Sequence, residues 1–172
     1  MEKKSQVAVL ERKEELLFRT PTEEDGKDVW QLIKNTGVLD LNSSYSYLMW
    51  SKFFDETSIV VETNKQIVGF ISGFIQPKSA DTLFVWQVAV DESARGKGLA
   101  SRMLHENLHS DACRNIRYLE ATIGPSNEAS QALFLKLARD LKTTCKVTEC
   151  FTENQFPGSG HEDELLFTIG PF

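Results

Sequence analysis

The feature that most limits what this chain can fold into is a tight glycine turn, Arg95-Gly96-Lys97-Gly98, set between an apolar strand and an amphipathic helix. Ahead of it, Leu83-Phe84-Val85-Trp86-Gln87-Val88-Ala89-Val90 is apolar at all but one position, the pattern of a strand covered on both faces. A short acidic bridge, Asp91-Glu92-Ser93-Ala94, leads into the turn. Beyond the turn, Leu99, Met103, Leu104 and Leu108 fall on one side of a helix. A strand, a glycine loop and a helix start together make an anion site, because the first backbone N–H groups of a helix lack internal partners and the aligned peptide dipoles place positive potential there. Gly96 and Gly98 let an incoming phosphate approach the main chain, and Arg95 and Lys97 bring full charges to the rim. Such a loop suits a pyrophosphate, although the same residues also satisfy an ordinary α/β turn.

Two familiar phosphate templates fail. A dinucleotide fingerprint needs a third glycine near position 101, which is Ser101, and a P-loop needs Ser or Thr after its Gly-Lys, where Gly98 stands.

The totals narrow the class further. A chain of 172 residues with 41% hydrophobic and 26% charged residues has the size and composition of one globular domain. No run of eighteen apolar residues is present, so a soluble, cytoplasmic protein with no membrane partner is expected. The net charge of −6, without a basic stripe to offset it, opposes nucleic-acid binding and favours a cationic small molecule. Cys113, Cys145 and Cys150 form neither a disulfide framework nor a metal-ligand spacing, so no metal is expected.

Taken in order, residues 1–15 read as a charged, mobile tail and residues 16–172 as a single domain. Leu16 to Arg19 reads as a first strand, and Thr20 to Asp25 starts a helix that ends near Gly37. Asn42 or Ser43 caps a second helix carrying Leu48, Met49, Trp50, Phe53 and Phe54. Ser58 to Thr63 and Ile67 to Gln76 form a hairpin, and residues 77–81 turn the chain into the strand at 83–90. A helix over 98–112 leads to a strand over Tyr118 to Ile123, parallel to the central one. Ser126 and Asn127 open another helix; Val147 to Phe151 and Leu165 to Ile169 complete the sheet. The intervening loop, with Pro157, Gly158 and Gly160, is long enough to be functional, and it carries His161, Glu162, Asp163 and Glu164. His161 by itself fits a solvated loop residue as well as a site residue.

Arg-x-x-Gly-x-Ala, here Arg95 to Ala100, preceded by Gln87-Val88-Ala89-Val90, resembles the GCN5-related N-acetyltransferase (GNAT) family. The resemblance implies an α/β (α+β) fold: a mixed, mostly antiparallel sheet of six to seven strands, about four flanking helices, and parallel central strands that splay apart. It also implies acetyl-CoA as acetyl donor. Its pyrophosphate would lie on the amides of Arg95, Gly96, Lys97, Gly98, Leu99 and Ala100, and its pantetheine arm would pair with Val88 and Val90 as an added strand does. Asn127 carries over as a pantetheine contact, and it is equally explained as a helix cap. Where the family frequently has a tyrosine that protonates the departing thiolate, this chain has Phe134, which leaves the general acid unassigned.

The segment Leu39-Asp40-Leu41-Asn42-Ser43-Ser44-Tyr45, taken with Phe84 to Val90, is similar to the L-2,4-diaminobutyrate acetyltransferases of ectoine biosynthesis, a route to a compatible solute made under osmotic stress. The similarity runs from Phe18 onward and implies acetylation of the γ-nitrogen, in an enzyme whose relatives are commonly homodimers. For such a substrate Asp40 pairs with the α-ammonium, Asn42 and Tyr45 add hydrogen bonds, and Trp86 supplies an aromatic wall. Glu120, on the neighbouring strand, is the candidate base by position, with Asp40 and Tyr45 as further catalytic candidates; Glu120 also fits an ordinary solvent-facing strand acid. His161 and Glu162 complete the candidate substrate set. Two rivals remain: an acetyltransferase for a polyamine, an aminoglycoside or a protein N-terminus, and a non-catalytic acetyl-CoA sensor.

Overall fold

The computed structural model describes residues 15–172, so the expected tail, apart from Glu15, lies outside the described residues. Seven strands, β1 (Leu17–Arg19), β2 (Ile59–Thr63), β3 (Gln66–Gln76), β4 (Ser79–Val90), β5 (Tyr118–Ile123), β6 (Cys145–Phe151) and β7 (Glu164–Ile169), form one sheet in the order β1-β2-β3-β4-β5-β7-β6. Every neighbouring pair is antiparallel except β4 with β5. Four helices flank it: α1 (Gly26–Thr36), α2 (Ser44–Phe53), α3 (Leu99–Leu108) and α4 (Glu128–Asp140). This is the mixed, mostly antiparallel sheet with one parallel central pair that the resemblance implies.

Alternation along the strands divides the apolar side chains between two cores. On one face Leu99, Met103 and Leu104 of α3 and Phe134 and Leu137 of α4 pack against Val61, Ile71, Val85, Leu119 and Phe167. On the other, Val29, Leu32 and Ile33 of α1 and Tyr47 and Trp50 of α2 pack against Val60, Phe70 and Ala89. Full burial of each large aliphatic side chain contributes about 2 kcal/mol. The ends are tied by charge: the Arg19 guanidinium donates to both Asp25 oxygens at 2.7 and 2.8 Å and to Glu62 at 3.0 Å, joining β1, the start of α1 and β2.

Several boundaries differ from the sequence reading. The β3–β4 turn is only Pro77-Lys78, so β4 starts at Ser79 rather than Leu83; Gln76 pairs with Ser79 and residues 80–82 bulge to restore register at Leu83. Helix α3 stops at Leu108 instead of Ala112. Ser110 turns extended, and Asp111–Cys113 forms a separate short 3-10 turn. Strand β6 begins two residues earlier, at Cys145, because Cys145 and Lys146 pair with Ile169 and Thr168. Ser43, rather than Asn42, takes the N-cap position of α2.

Candidate active site

Strands β4 and β5 pair over three residues only, Thr82 to Phe84 with Tyr118 to Glu120, and then part. The amide of Gln87 donates to Ser72 Oγ (3.1 Å) and that of Asp91 to Val68 O (2.8 Å), both towards β3. Because successive amides in a strand point to opposite sides, those of Val88 and Val90 point into the gap left by β5. Both side chains are half-buried against the α3/α4 core. At the mouth of the gap the turn takes the shape its glycines permit, with φ +74° at Gly96 and +73° at Gly98, the residue that precedes the first turn of α3. Leu99 is buried under it, while Lys97 is exposed. Arg95 is exposed too, but its Nε donates to Val90 O at 3.1 Å, which braces the loop against the strand end. The loop has open volume on both flanks: a cavity of about 590 Å³ towards Leu32, Asn35 and Thr36 of α1, and one of about 230 Å³ bounded by Lys97, Leu99 and Arg102. Asn127 serves as the N-cap of α4, its Oδ1 accepting from the Ser130 amide at 3.1 Å.

On the α1/α2 face, a register shift opposite Ser72 and Gly73 makes Trp86 the extra residue of a β-bulge. The bulge changes the alternation, so Trp86 and Gln87 both turn towards α2. Trp86 lies 5.1 Å from the Trp50 ring, centroid to centroid, yet stays 42% exposed. Buried Gln87 receives the Tyr47 hydroxyl on Oε1 (3.3 Å) and donates from Nε2 to Asp40 O (2.9 Å), while the Asn42 amide donates to the Tyr47 oxygen (3.3 Å). The α1–α2 connection is thereby fixed to the bulge. Asp40 stands exposed on it and Tyr45 in the first turn of α2, and the Asn42 Nδ2 is buried without a hydrogen-bond partner.

Across the same face Glu120 is half-buried and held from both sides, by Gln76 Nε2 at 2.5 Å and Thr168 Oγ1 at 2.8 Å. Glu164, which the sequence reading named in the loop cluster but left out of the candidate substrate set, lies on the same face, four residues before the Thr168 that pairs with Glu120. Burial pushes its carboxyl above the ordinary value, and the charges of Glu162 and Asp40 push the same way, against the Thr122 hydroxyl and His161. Asp40 of the α1–α2 connection and Glu164 of β7 are therefore near enough for their charges to act on each other. The signal that could have found Glu164 is alternation: Leu165, Phe167 and Ile169 face the α3/α4 core, which puts Glu164, Leu166 and Thr168 on the face of Glu120. Glu162, in contrast, turns its carboxylate onto Ser126 at the β5–α4 turn, and exposed His161 stacks on Phe156 at 4.4 Å. Phe134 is 3% exposed inside the α3/α4 core, with its ring among apolar side chains. Among the described residues no group of three His, Cys, Asp or Glu side chains is placed to hold a metal ion, and no helix is long and apolar enough to cross a membrane.

What results is a gap that offers main-chain amides to a linear ligand, a glycine loop at one end of it, and an aromatic, acidic face alongside. Residues 26–138 match the model of the acetyltransferase (GNAT) family. The chain is 63% identical over 171 residues to L-2,4-diaminobutyric acid acetyltransferase of Sporosarcina pasteurii, covering 99% of this chain and 95% of that one. It is 59% identical to the enzyme of the same name from Marinococcus halophilus, over 91% of both chains. Among solved structures it is similar to the diaminobutyrate acetyltransferase EctA of Paenibacillus lautus, captured with L-2,4-diaminobutyric acid and coenzyme A: TM-score 0.89, 45% identity, 92% of this chain and 96% of that one. The ribosomal-protein-S18-alanine N-acetyltransferase of Escherichia coli, at 16% identity and TM-score 0.70, shares the fold.

Proposed function

The chain belongs to the GNAT acetyltransferase family, and from that membership we propose that it transfers the acetyl group of acetyl-CoA to the γ-nitrogen of L-2,4-diaminobutyrate, releasing Nγ-acetyl-L-2,4-diaminobutyrate and coenzyme A, a step of ectoine biosynthesis. The observation that carries the reading is the early parting of β4 from β5, which frees the amides of Val88 and Val90, with Trp86 of β4 and Glu120, paired opposite Phe84, on the α1/α2 face next to the gap. A diamine with one carboxylate matches that face group for group. Asp40 and Glu164 offer negative charge to the ammonium groups, Asn42 Nδ2 offers a donor to the carboxylate, and Tyr45 and Trp86 border the aliphatic chain.

In the gap, the pantetheine arm pairs with the free side of β4, and the diphosphate rests on the amides of residues 95–100 at the start of α3. The Val88 amide polarises the thioester carbonyl. The amine nitrogen attacks the carbonyl carbon, the C–N bond forms, the nitrogen gives its second proton to water, and the C–S bond breaks as the tetrahedral intermediate collapses. The attacking ammonium must first lose a proton; Glu120, its carboxylate oriented by Gln76 and Thr168, takes it directly or through water. The thiolate leaves with the electron pair of the C–S bond and is protonated from solvent, since Phe134 offers no donor. Holding the α-ammonium against the acids leaves only the γ-nitrogen free to meet the thioester, so regioselectivity is positional.

The test is mass spectrometry and NMR of the product formed from acetyl-CoA and L-2,4-diaminobutyrate. An acetyl group on Nγ is expected; preference for spermidine, an aminoglycoside or a peptide N-terminus, or coenzyme binding without turnover on any amine, overturns the reading. A cytoplasmic location accords with the acetyl-CoA the reaction consumes. The exposed apolar side chains Leu48 and Phe53 of α2 support a homodimer, to be read from light scattering of the purified protein.

A further inference from the structure

We propose that Glu162 is a positioning residue that locks the β6–β7 loop onto the start of helix α4, where the family resemblance gives Asn127 a pantetheine contact, so that acceptor binding and acetyl-CoA binding favour each other. The two Glu162 carboxylate oxygens accept from the Ser126 amide at 3.2 and 3.1 Å, and one of them also accepts from Ser126 Oγ at 2.6 Å. Ser126 is the residue before Asn127, the N-cap of α4. Gly124, at the end of the β5 segment, leaves room for this contact: a Cβ there would collide with the Glu162 side chain. The carboxylate therefore fills the place of a missing side chain, one residue ahead of the α4 N-cap.

The loop it anchors is itself folded. Glu153–Gln155 forms a 3-10 turn, the Glu153 amide donates to Asp163 Oδ1 at 2.8 Å, and Phe156 stacks on His161 with ring planes 9° apart. The chain then enters β7 at Glu164, whose raised carboxyl feels Asp40 across the acceptor face. One side chain thus connects the turn preceding Asn127 to the segment that presents Glu164, within three residues of sequence at each end. Because the carboxylate ties the two segments, the position of each depends on the other, and a ligand that favours the tied arrangement on one side favours it on the other, which is positive coupling between two distinct sites.

This inference rests on the diaminobutyrate reading above, and the experiment separates the two. The dissociation constant of L-2,4-diaminobutyrate is measured by calorimetry with and without saturating coenzyme A, for the wild type, Glu162→Ala and Gly124→Ala. The second variant leaves the carboxylate intact but displaces it; because the colliding group is the far end of a flexible side chain, its melting temperature is expected to stay within a few degrees of the wild type. In the wild type, coenzyme A is expected to tighten the amine about tenfold. Both variants should reduce that factor below about threefold, a readout that a merely structural contact would leave unmoved. A factor of about three or more surviving in either variant, or a wild-type factor below that, overturns the proposal. Absence of diaminobutyrate turnover in the wild type overturns the reaction itself, and this coupling with it.

Discussion

At the scale of single residues, two carboxylates in opposite electrostatic circumstances do different work. Glu164 is held above its ordinary value first by burial and then by Glu162 and Asp40. A carboxyl raised in the folded state binds its proton more tightly there than in the unfolded chain, so its contribution to stability is present at low pH and is lost as pH rises from the ordinary carboxylate value through the raised one. An ammonium neighbour reverses that preference, and amine binding should release a proton. Glu164→Gln is therefore expected to raise the melting temperature at pH 7, remove the acid limb from the pH profile of kcat/KM for diaminobutyrate, and raise the KM of that substrate roughly tenfold or more. An unchanged acid limb would sink the assignment. Asp25 is the reverse case. Burial works to raise its carboxyl, but donation from Arg19 and Thr22 outweighs it and holds it below the ordinary value. Its stabilisation is present above the ordinary value and disappears as pH falls through the depressed one. Arg19→Met, which leaves Asp25 buried with only Thr22, should cost about 2–3 kcal/mol in urea unfolding at pH 7, and the cost should shrink in acid.

At the scale of elements, the strand–turn–helix unit was legible because its information is local. Residues 83–90 announce a covered strand, Gly96 and Gly98 announce left-handed backbone, and the leucine spacing announces α3. Gly98→Ala puts a Cβ on a residue at φ +73° with no atom within 4 Å of that Cβ, so the penalty is backbone strain alone, about 1 kcal/mol. Acetyl-CoA affinity should fall several-fold while diaminobutyrate affinity without coenzyme is preserved, both measured by calorimetry. The bulge at Trp86 was not legible, since it depends on which β3 residue faces Gln87 and on the Ser72 hydroxyl that receives the Gln87 amide. Glu164 was visible in the loop cluster but its place opposite Asp40 was not, for the same kind of reason. Its company is set by pairing with β5, some forty residues away, and by a connection before α2 that brings Asp40 over the sheet. Glu162 was visible as a polar loop residue, but its attachment to Ser126 needs the fold of residues 152–163 and the space above Gly124.

At the scale of the whole molecule, the sheet separates a core built on α3 and α4 from a core built on α1 and α2, and β3 and β4 carry residues of both. All three tryptophans, Trp30, Trp50 and Trp86, report on the α1/α2 side. Because the shared strands carry residues of both cores, tryptophan fluorescence and far-ultraviolet dichroism should trace the same urea transition. Separate midpoints would mean that the halves unfold independently. Ile33→Ala, at a fully buried site in α1, should shift that common transition by about 3 kcal/mol. The early parting of β4 from β5 has a last consequence, for longevity rather than catalysis. On the proposed reaction, each departure of the coenzyme bares a half-ladder of hydrogen-bonding groups along β4, which a stray polypeptide can join as an added strand. A resting population deprived of coenzyme A should accordingly aggregate sooner on storage than one kept in it.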